Sequence, residues 1–228
     1  MVSVIFPAAG QGKRMGAGFN KVFLKLAGKE IIRHTLRRFS DVPAVGELIV
    51  VTGKEDLSHM QTILREEPGL KPWRVVAGGS ERQYSVKNGL AAISREADIV
   101  LVHDAARPLV SRETIEAVIR AARLSGAAIA AVPEKNTVKI VSGDGVVVRT
   151  PDRRTVWAVQ TPQGFRRGIL LRANERAEEE HFLGTDDASL VERIGTPVHV
   201  VRDRYENIKI TTPGDLAVAE AFLKEGAK

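Results

Sequence analysis

An alternation of short apolar runs with amphipathic stretches over residues 2–132 limits the fold of this chain more than any other feature of its sequence. Five runs have the length and composition of buried strands: 2–6, 47–52, 73–77, 99–102 and 127–132. Between them apolar residues recur at helical spacing, as at Ile32, Leu36 and Phe39. A repeated β-α unit of this kind predicts an α/β fold, in which a parallel sheet carries helices on both faces.

Local signals predict where several of these helices begin and end. Ser80 followed by Gln83 matches a capping box, and Ser111 is a suitable N-cap for the next helix. Gly126 is placed to end that helix, because glycine adopts the backbone conformation found just after helices. Pro213 is tolerated in the first turn of a last helix.

The pattern changes after Pro133. The segments 137–141 and 146–149 flank Ser142-Gly-Asp-Gly and predict a β-hairpin, with alternation continuing over 154–159. The other elements predicted here are helices from about 167 to 180 and from 185 to 195, and strands at 198–201 and 207–210. An isolated hairpin buries too little core to be stable. We therefore expect the arm formed by residues 133–158 to pack on another surface, such as a second subunit.

The first strand runs directly into a segment rich in glycine and positive charge. Four glycines between residues 10 and 18 let backbone N–H groups approach an anion closely, and Arg14 and Lys21 add charge. Residues 10–38 hold eight Lys or Arg and a single acid, Glu30. The glycine spacing fits neither the dinucleotide fingerprint nor the NTPase loop. These observations favour a triphosphate-binding turn, with a flexible basic surface loop as the alternative.

Three chemically distinctive segments follow predicted strands: the glycine-rich segment, Gly78-Gly79-Ser80 and His103-Asp104. Ligands of parallel sheets bind beyond the carboxyl ends of the strands. We therefore expect these segments to converge on one binding site.

Composition limits the classes of function. A net charge of +6 is compatible with nucleic-acid binding. However, basic and acidic residues are interleaved beyond the first 40 positions, and none of the eleven aromatic residues clusters with the cationic segment, so we expect no nucleic-acid partner. No apolar run approaches the ~20 residues of a membrane span, and no signal-peptide pattern precedes the first strand. With no cysteine, these features predict a cytoplasmic enzyme that does not bind membranes.

Motifs spread over almost the whole chain resemble those of the 2-C-methyl-D-erythritol 4-phosphate cytidylyltransferase family. They are PAAGQGKRM (7–15), Lys21, GGSERQYSV (78–86), VHDAARP (102–108), NTVK (136–139), TPQGF (161–165), TDDAS (185–189) and NIKIT (207–211). The resemblance implies a Rossmann-like, doubly wound, mostly parallel sheet of the nucleotide-diphospho-sugar transferase type. Residues 1–228 would form a single nucleotidyltransferase domain, from which the arm at 133–158 protrudes. The implied reaction transfers CMP from CTP to 2-C-methyl-D-erythritol 4-phosphate, releases pyrophosphate and uses Mg²⁺.

The resemblance also assigns roles to individual residues. Those implied in catalysis are Arg14, Lys21, Arg153 and Lys209. Those implied in CTP binding are Ala8, Ala9, Gly10, Gly12, Gly79, Ser80, Ser85 and Asp104, of which Asp104 is also the implied Mg²⁺ ligand. Those implied in acceptor binding are Arg107, Thr137, Arg153, Thr161, Thr185 and Lys209. The family is a homodimer in which the arm of one subunit reaches the other's site, so Thr137 and Arg153 are expected to act across the interface.

The sequence departs from the family's pattern near two of these residues. Asn20 and Val22 flank Lys21 where proline and glutamine are expected, and Ser80 stands where an acid is expected. The loop conformation and part of the nucleotide contact therefore follow less directly from the resemblance than the charges do.

The implied chemistry brings two anions together, so positioning and charge neutralisation should carry catalysis. Arginine and lysine suit non-bridging phosphate oxygens, and an aspartate supplies the hard oxygen that Mg²⁺ prefers. No general base is needed, because the acceptor phosphate is already ionised near pH 7. We expect His103 to pack behind Asp104 rather than to act in catalysis.

Three other functions stand as alternatives to this one. A ribitol 5-phosphate cytidylyltransferase is the nearest, although Ala8-Ala9-Gly10 favours the methylerythritol enzyme. A nucleic-acid-binding module would need aromatic stacking platforms or a basic stripe. A nucleotide sensor without catalysis would require the loss of Arg14 or Lys21, and both are present.

Overall fold

The computed structural model describes residues 1–10 and 20–226. The strands within these residues are β1 (Val2–Ala8), β2 (Lys25–Leu26), β3 (Lys29–Glu30), β4 (Val45–Thr52), β5 (Trp73–Ala77), β6 (Ile99–Val102), β7 (Ala127–Pro133), β8 (Ile140–Val141), β9 (Val147–Arg149), β10 (Trp157–Arg166) and β11 (His199–Arg202). The α-helices are α1 (Ile31–Ser40), α2 (Leu57–Arg65), α3 (Arg82–Ala92), α4 (Arg112–Ser125), α5 (Arg167–Glu179), α6 (Asp187–Arg193) and α7 (Pro213–Gly226).

Seven strands of the described part form one sheet in the order β11-β7-β10-β6-β1-β4-β5. β10 runs antiparallel to its neighbours β6 and β7, whereas the other pairings in this sheet are parallel. The predicted α/β fold with a mostly parallel sheet is therefore confirmed. The chain order reverses beside β1, since β4 lies on one side of it and β6 on the other. Such a switch point opens a crevice at the carboxyl ends of the strands.

β1 is buried on both faces, which explains why its sequence is an unbroken apolar run rather than an alternating one. Val4 and Phe6 pack on the face covered by α1, α2 and α4, whereas Ile5 packs on the face covered by α3, α5 and α6. The ring of Phe39 meets that of Phe6 edge-on, with 5.1 Å between centroids. On the other face, a Cβ added to Gly89 would lie 2.6 Å from the Ile5 side chain. Close packing from both sides thus fixes the strand that leads into the crevice.

Several local predictions are confirmed. The Ser111 hydroxyl caps α4 by accepting a hydrogen bond from the Thr114 N–H at 3.1 Å. Gly126 ends that helix with φ at 95°, a conformation that glycine adopts without strain. Pro213 is the first residue of α7.

The predicted capping box at Ser80 and Gln83 is wrong. α3 begins at Arg82, with Glu81 as N-cap and no hydrogen bond from a capping side chain. Gln83 Nε2 instead donates to the Phe182 carbonyl at 3.0 Å, and its Oε1 accepts from the Gly184 N–H at 2.9 Å. Long-range bonds therefore occupy both ends of the amide that a local cap would have used.

The predicted strand at 207–210 is also wrong. The Asn207 carbonyl accepts from Arg107 Nη1 at 2.6 Å and from Gln160 Nε2 at 3.3 Å, and the Ile210 N–H donates to the Ala106 carbonyl at 2.9 Å. Side chains and a loop therefore take the place of a neighbouring strand. The alternation at 154–159, in contrast, extends further than predicted, because β10 continues through the TPQGF motif to Arg166.

The predicted hairpin is present as the antiparallel pair β8 and β9. Its apolar side chains are largely exposed in the single chain, from 41% for Ile140 to 64% for Val148. Burying such side chains is favourable, so the arm has the surface expected of a segment that packs elsewhere. None of the helices in the described part of the chain has both the length and the apolar character needed to cross a bilayer.

Candidate active site

A cleft of about 310 Å³ opens at the carboxyl ends of the strands, beside the switch point. The residues that line it are Pro7 to Gly10 at the end of β1, Asn20 to Val22, Gly79 to Arg82, Ser85, Asp104 to Ala106, Lys209 and Thr211. The predicted convergence of three strand-end segments is therefore confirmed for the residues that the structure describes, which include only Gly10 among the glycines of the first segment. His103, which precedes Asp104, is fully buried.

Asp104 follows β6 and is the acidic centre of a cationic group. Lys209 Nζ and Arg107 Nε each lie 3.1 Å from its Oδ2 atom, and the residue is 8% exposed. Burial alone would raise the pKa of the Asp104 carboxyl, but the charges of Lys209, Arg107 and Arg82 together hold that pKa well below its usual range. The carboxylate is therefore ionised at any pH at which the protein would work.

Lys21 stands at the wall of the cleft, at the start of a short 3₁₀ turn over Lys21–Phe23. The side chain of Asn20 caps this turn by accepting from the Val22 N–H at 3.3 Å. The Asn20 amide also donates to the Ala8 carbonyl and, at 3.2 Å, to Asp56 Oδ2. Asn20 thus ties the start of the turn to the end of β1, which fixes the backbone from which the lysine extends.

Gly79 belongs to a turn with no room for a side chain. An added Cβ would lie 2.4 Å from the Cβ of Tyr84, much closer than real atoms approach. The Gly79 N–H donates to the Ser85 hydroxyl at 3.1 Å, and that hydroxyl donates to the Glu81 carbonyl at 3.1 Å. The Ser85 side chain therefore holds the glycine turn against the first turn of α3.

His103 is fully buried, and its ring contacts those of Phe6 and Phe39. Burial lowers the pKa of its imidazole to about 3, so the ring is neutral. Its Nε2 lies 3.1 Å from the Arg107 carbonyl, and its Nδ1 lies 3.0 Å from the Thr161 hydroxyl. Since a carbonyl can only accept, the proton sits on Nε2 and Thr161 donates to Nδ1. The predicted packing role of His103 behind Asp104 is confirmed.

The model of one protein family matches residues 2–225, and its description is 2-C-methyl-D-erythritol 4-phosphate cytidylyltransferase. The chain belongs to this family. The predicted enzyme class, a nucleotidyltransferase, is thereby confirmed, as is the resemblance based on the motifs.

Two curated members of the cytidylyltransferase family illustrate how far the similarity extends. The protein of that name from Caldanaerobacter subterraneus is 46% identical over 225 residues, which cover 98% of this chain and 99% of the relative. The one from Geotalea uraniireducens is 50% identical over 226 residues, which cover 98% of this chain and 97% of the relative. The match therefore spans the glycine-rich segment, the arm and the last helix alike.

Solved structures of the cytidylyltransferase family share the fold. The 4-diphosphocytidyl-2C-methyl-D-erythritol synthase of Anaerococcus prevotii superposes with a TM-score of 0.87 at 34% identity, covering 98% of both chains. The 2-C-methyl-D-erythritol 4-phosphate cytidylyltransferase of Thermus thermophilus gives a TM-score of 0.80 at 36% identity, covering 97% of this chain and 98% of that one. The predicted doubly wound architecture is accordingly the architecture of the family.

The residues implied by the family resemblance fall into four groups. Ala8, Ala9, Gly10, Lys21, Gly79, Ser80, Ser85, Asp104 and Lys209 line the cleft. Two others are outside the lining but contact Asp104: Arg107 through its guanidinium, and Thr161 through its hydroxyl, which accepts from the Asp104 N–H at 3.0 Å. Thr137, Arg153 and Thr185 are not part of the lining formed by the described residues. Gly12 and Arg14 lie outside the described residues.

Arg82 is the clearest site residue to which the sequence had assigned no role. It lines the cleft from the first residue of α3, and its Nη2 lies 2.7 Å from Asp187 Oδ2 at the start of α6. A cation is unfavourable at a helix N-terminus, where the helix dipole is positive. An arginine in the first turn of a helix therefore indicates that a carboxylate or an anionic ligand nearby offsets its charge.

The surroundings of Asp104 fit its implied use as a Mg²⁺ ligand. No group of three His, Cys, Asp or Glu side chains able to hold a metal occurs within residues 1–10 and 20–226. In nucleotide sites Mg²⁺ is usually held by one or two carboxylates together with substrate phosphates and water, so an ionised carboxylate in a cleft is a suitable donor. Lys209 and Arg107 both approach Oδ2 rather than Oδ1, so the second carboxylate oxygen is the better placed to meet an ion.

Proposed function

We propose that this cleft transfers the CMP group of CTP to 2-C-methyl-D-erythritol 4-phosphate, giving 4-diphosphocytidyl-2-C-methyl-D-erythritol and pyrophosphate. Membership of the cytidylyltransferase family supports this reaction over the ribitol 5-phosphate alternative. The observation that carries the proposal in the structure is that Lys21 and Lys209 line the same cleft as the ionised carboxylate of Asp104, which Lys209 and Arg107 both contact. Two anionic substrates can approach each other only where such charges offset their repulsion.

In the proposed reaction an oxygen of the acceptor phosphate attacks the α-phosphorus of CTP. The new oxygen–phosphorus bond forms as the bond to the pyrophosphate oxygen breaks, and the electron pair leaves with pyrophosphate. Phosphate monoesters have a second pKa near 6, so no side chain has to remove a proton. The neutral His103 is consistent with this, since it is enclosed by protein and its two nitrogens are already bonded.

Lys21 and Arg14 are proposed to neutralise the non-bridging oxygens of CTP as charge accumulates in the transition state. The Gly79 turn and Ser80 face the same cleft and would hold the nucleoside end, where the tight turn lets the backbone approach closely. Asp104 would hold Mg²⁺, which when bound neutralises phosphate charge and makes pyrophosphate a better leaving group.

The acceptor phosphate is proposed to bind at Lys209 and Arg107, with the rest of its site supplied by a partner subunit. Arg153 and Thr137 lie near the two ends of the hairpin arm, and Arg153 Nη1 donates to the Lys135 carbonyl of the same arm at 3.2 Å. The exposed valines of the arm supply an apolar surface for a homodimer contact. We accordingly propose a cytoplasmic homodimer of single-domain subunits joined through residues 133–158.

The decisive experiment measures pyrophosphate release from CTP and Mg²⁺ with each acceptor supplied separately. We expect release with 2-C-methyl-D-erythritol 4-phosphate and at least 10²-fold less with ribitol 5-phosphate, because the polar groups of a site reject a substrate that leaves them unpaired. Equal or greater turnover with ribitol 5-phosphate would refute the proposed substrate. Salt-sensitive binding of an oligonucleotide, without CTP turnover, would instead support the nucleic-acid alternative.

A further inference from the structure

Asn207 is a buried polar residue that the proposed chemistry does not use. It is 1% exposed, and its side-chain Nδ2 donates both to the Thr161 carbonyl at 2.8 Å and to Asp203 Oδ2 at 2.7 Å. Asp203 is itself held by the Thr114 hydroxyl at 2.6 Å and the Arg204 N–H at 2.7 Å, both on Oδ1. The asparagine thus connects β10 to the start of α4 by way of Asp203. The two bonds that it donates require a neutral side chain with two N–H donors.

The backbone of the same residue is tied to the floor of the cleft. Its carbonyl accepts from Arg107 Nη1 at 2.6 Å and from Gln160 Nε2 at 3.3 Å. Two residues further on, Lys209 Nζ reaches Asp104 Oδ2 at 3.1 Å. Arg107 and Lys209, two cations that contact Asp104, are therefore connected to Asn207, Arg107 through a hydrogen bond to its carbonyl and Lys209 through the chain.

We infer that Asn207 is a positioning residue, which sets where Lys209 and Arg107 present their charges to the acceptor phosphate without touching substrate itself. The inference rests on the proposed function for the ligand that these cations bind, but the placement of the cations can be tested without it. Segment 207–210 is not a strand of the sheet, and the bonds that hold it include those at Asn207 together with the Ile210 N–H bond to the Ala106 carbonyl. A displacement of even 1 Å of a catalytic or binding group is costly to activity.

Asn207→Asp tests the inference with little change of shape. The variant replaces both donors by acceptors and sets a carboxylate against the Thr161 carbonyl and against Asp203. The matched partner is Asp203→Asn, which keeps an Oδ1 acceptor for Thr114 and Arg204. In the double variant the amide introduced at position 203 can donate to the carboxylate introduced at position 207, so the bond between the two positions is restored in the reverse direction.

We expect Asn207→Asp to raise the KM for 2-C-methyl-D-erythritol 4-phosphate at least tenfold and the KM for CTP less than threefold. The double variant should reverse at least a third of the increase in acceptor KM, measured as the change in log KM. An unchanged acceptor KM, equal increases for both substrates, or a double variant no better than the single one would overturn the inference. If Asn207→Asp does not fold, Asp203→Asn is assayed alone, because it disturbs the same pair from the other side, and the same split between the two KM values is expected.

Crystal structures of the wild type and the variant provide a readout that does not depend on turnover. We expect the Lys209 Nζ–Asp104 Oδ2 separation to widen from hydrogen-bond distance in Asn207→Asp, and an unchanged separation would contradict the positioning role. The wild-type enzyme is assayed alongside. If it fails to release pyrophosphate with this acceptor, the proposed function falls, whereas unchanged variants of an active enzyme refute only the role of Asn207.

Discussion

At the residue scale, Lys21 owes its position to the side chain that precedes it. Asn20 caps the turn that begins at Lys21 and bonds to the end of β1, so the lysine extends from a fixed backbone. We expect Lys21→Ala to lower kcat by roughly 10²-fold, the size seen when a group that stabilises transition-state charge is removed. Arg14→Ala is expected to act in the same way.

Steady-state kinetics of the purified, folded variants measure this effect. Lys25→Ala is the matched control, because Lys25 is an exposed lysine on β2, outside the cleft lining. Normal turnover by Lys21→Ala, or an equal loss in Lys25→Ala, would count against a specific role for Lys21.

His103 gives a prediction about pH and stability. Burial lowers the pKa of His103 to about 3. The bond to the Arg107 carbonyl and the charge of Asp104 oppose that shift, the charges of Arg107 and Lys209 reinforce it, and the unfolded chain has an ordinary histidine. Below pH 6.5 the unfolded state therefore binds a proton that the folded state does not. The free energy of unfolding should fall by about 1 kcal/mol from this residue as the pH drops from about 6 to about 5.

Urea unfolding of the metal-free protein at the two ends of that pH interval measures how the free energy of unfolding changes with pH. His103→Gln removes the titrating ring, and its free energy of unfolding should change less over this interval than that of the wild type. The same slope in both proteins would show that His103 is not the group responsible.

Some of these residues could be predicted from the sequence and others could not, and the difference lies in how far apart in sequence their partners are. Asp104 and Lys209 could be predicted because they stand in motifs with a recognisable order. The pairing of Arg82 with Asp187 joins positions 105 residues apart, and no local pattern encodes such a contact. The Gln83 amide was assigned to a local cap for the same reason, since its partners at 182 and 184 are distant in sequence.

At the scale of elements, the glycine turn after β5 sets the entrance to α3. An added Cβ at Gly79 would lie 2.4 Å from the Cβ of Tyr84, so either the turn or the helix start must shift. Overpacking of this kind costs about 1–3 kcal/mol. We expect Gly79→Ala to raise the KM for CTP about tenfold or more, with a smaller effect on the KM for the acceptor.

Kinetics with each substrate varied in turn would test this. Gly143→Ala is the control, because a Cβ there meets nothing within 4 Å and lies in the hairpin rather than the cleft. A Gly79→Ala variant with a wild-type KM for CTP would show that the turn does not contact the nucleotide.

Elements with a clear apolar pattern in their own sequence were the ones that could be predicted. The strands β1, β4, β5, β6 and β7 follow apolar runs, and the helices between them follow apolar residues at helical spacing, because each packs apolar side chains against its neighbours. β10 and segment 207–210 behaved differently: the antiparallel strand continues through the polar TPQGF motif, and 207–210 is held by side chains from elsewhere. Both outcomes depend on tertiary partners rather than on local preference.

At the scale of the whole molecule, the cleft of one chain lacks part of the site proposed for it. Lys21, Asp104 and Lys209 face the cleft, whereas Arg153 is exposed on the arm and takes no part in the cleft lining formed by the described residues. The exposed apolar side chains of β8 and β9 would be buried if the arm packed on another subunit, which favours such a contact. In a symmetric dimer each arm would then complete the partner's site.

A mixed dimer distinguishes this arrangement from one in which the arm serves its own cleft. The first heterodimer pairs a Lys21→Ala chain with an Arg153→Ala chain, is isolated with two different tags and is assayed at low acceptor concentration. If the arm acts on the partner, this heterodimer has one intact site, so about half of the wild-type activity is expected. Pairing the wild-type chain with the Lys21→Ala/Arg153→Ala double variant reverses the prediction: neither site is intact if the arm crosses the interface, and one is intact if it does not. The two heterodimers contain the same four side chains at positions 21 and 153 and differ only in how these are distributed between the subunits. Activity in the second heterodimer but not in the first would therefore show that Arg153 acts in the site of its own chain.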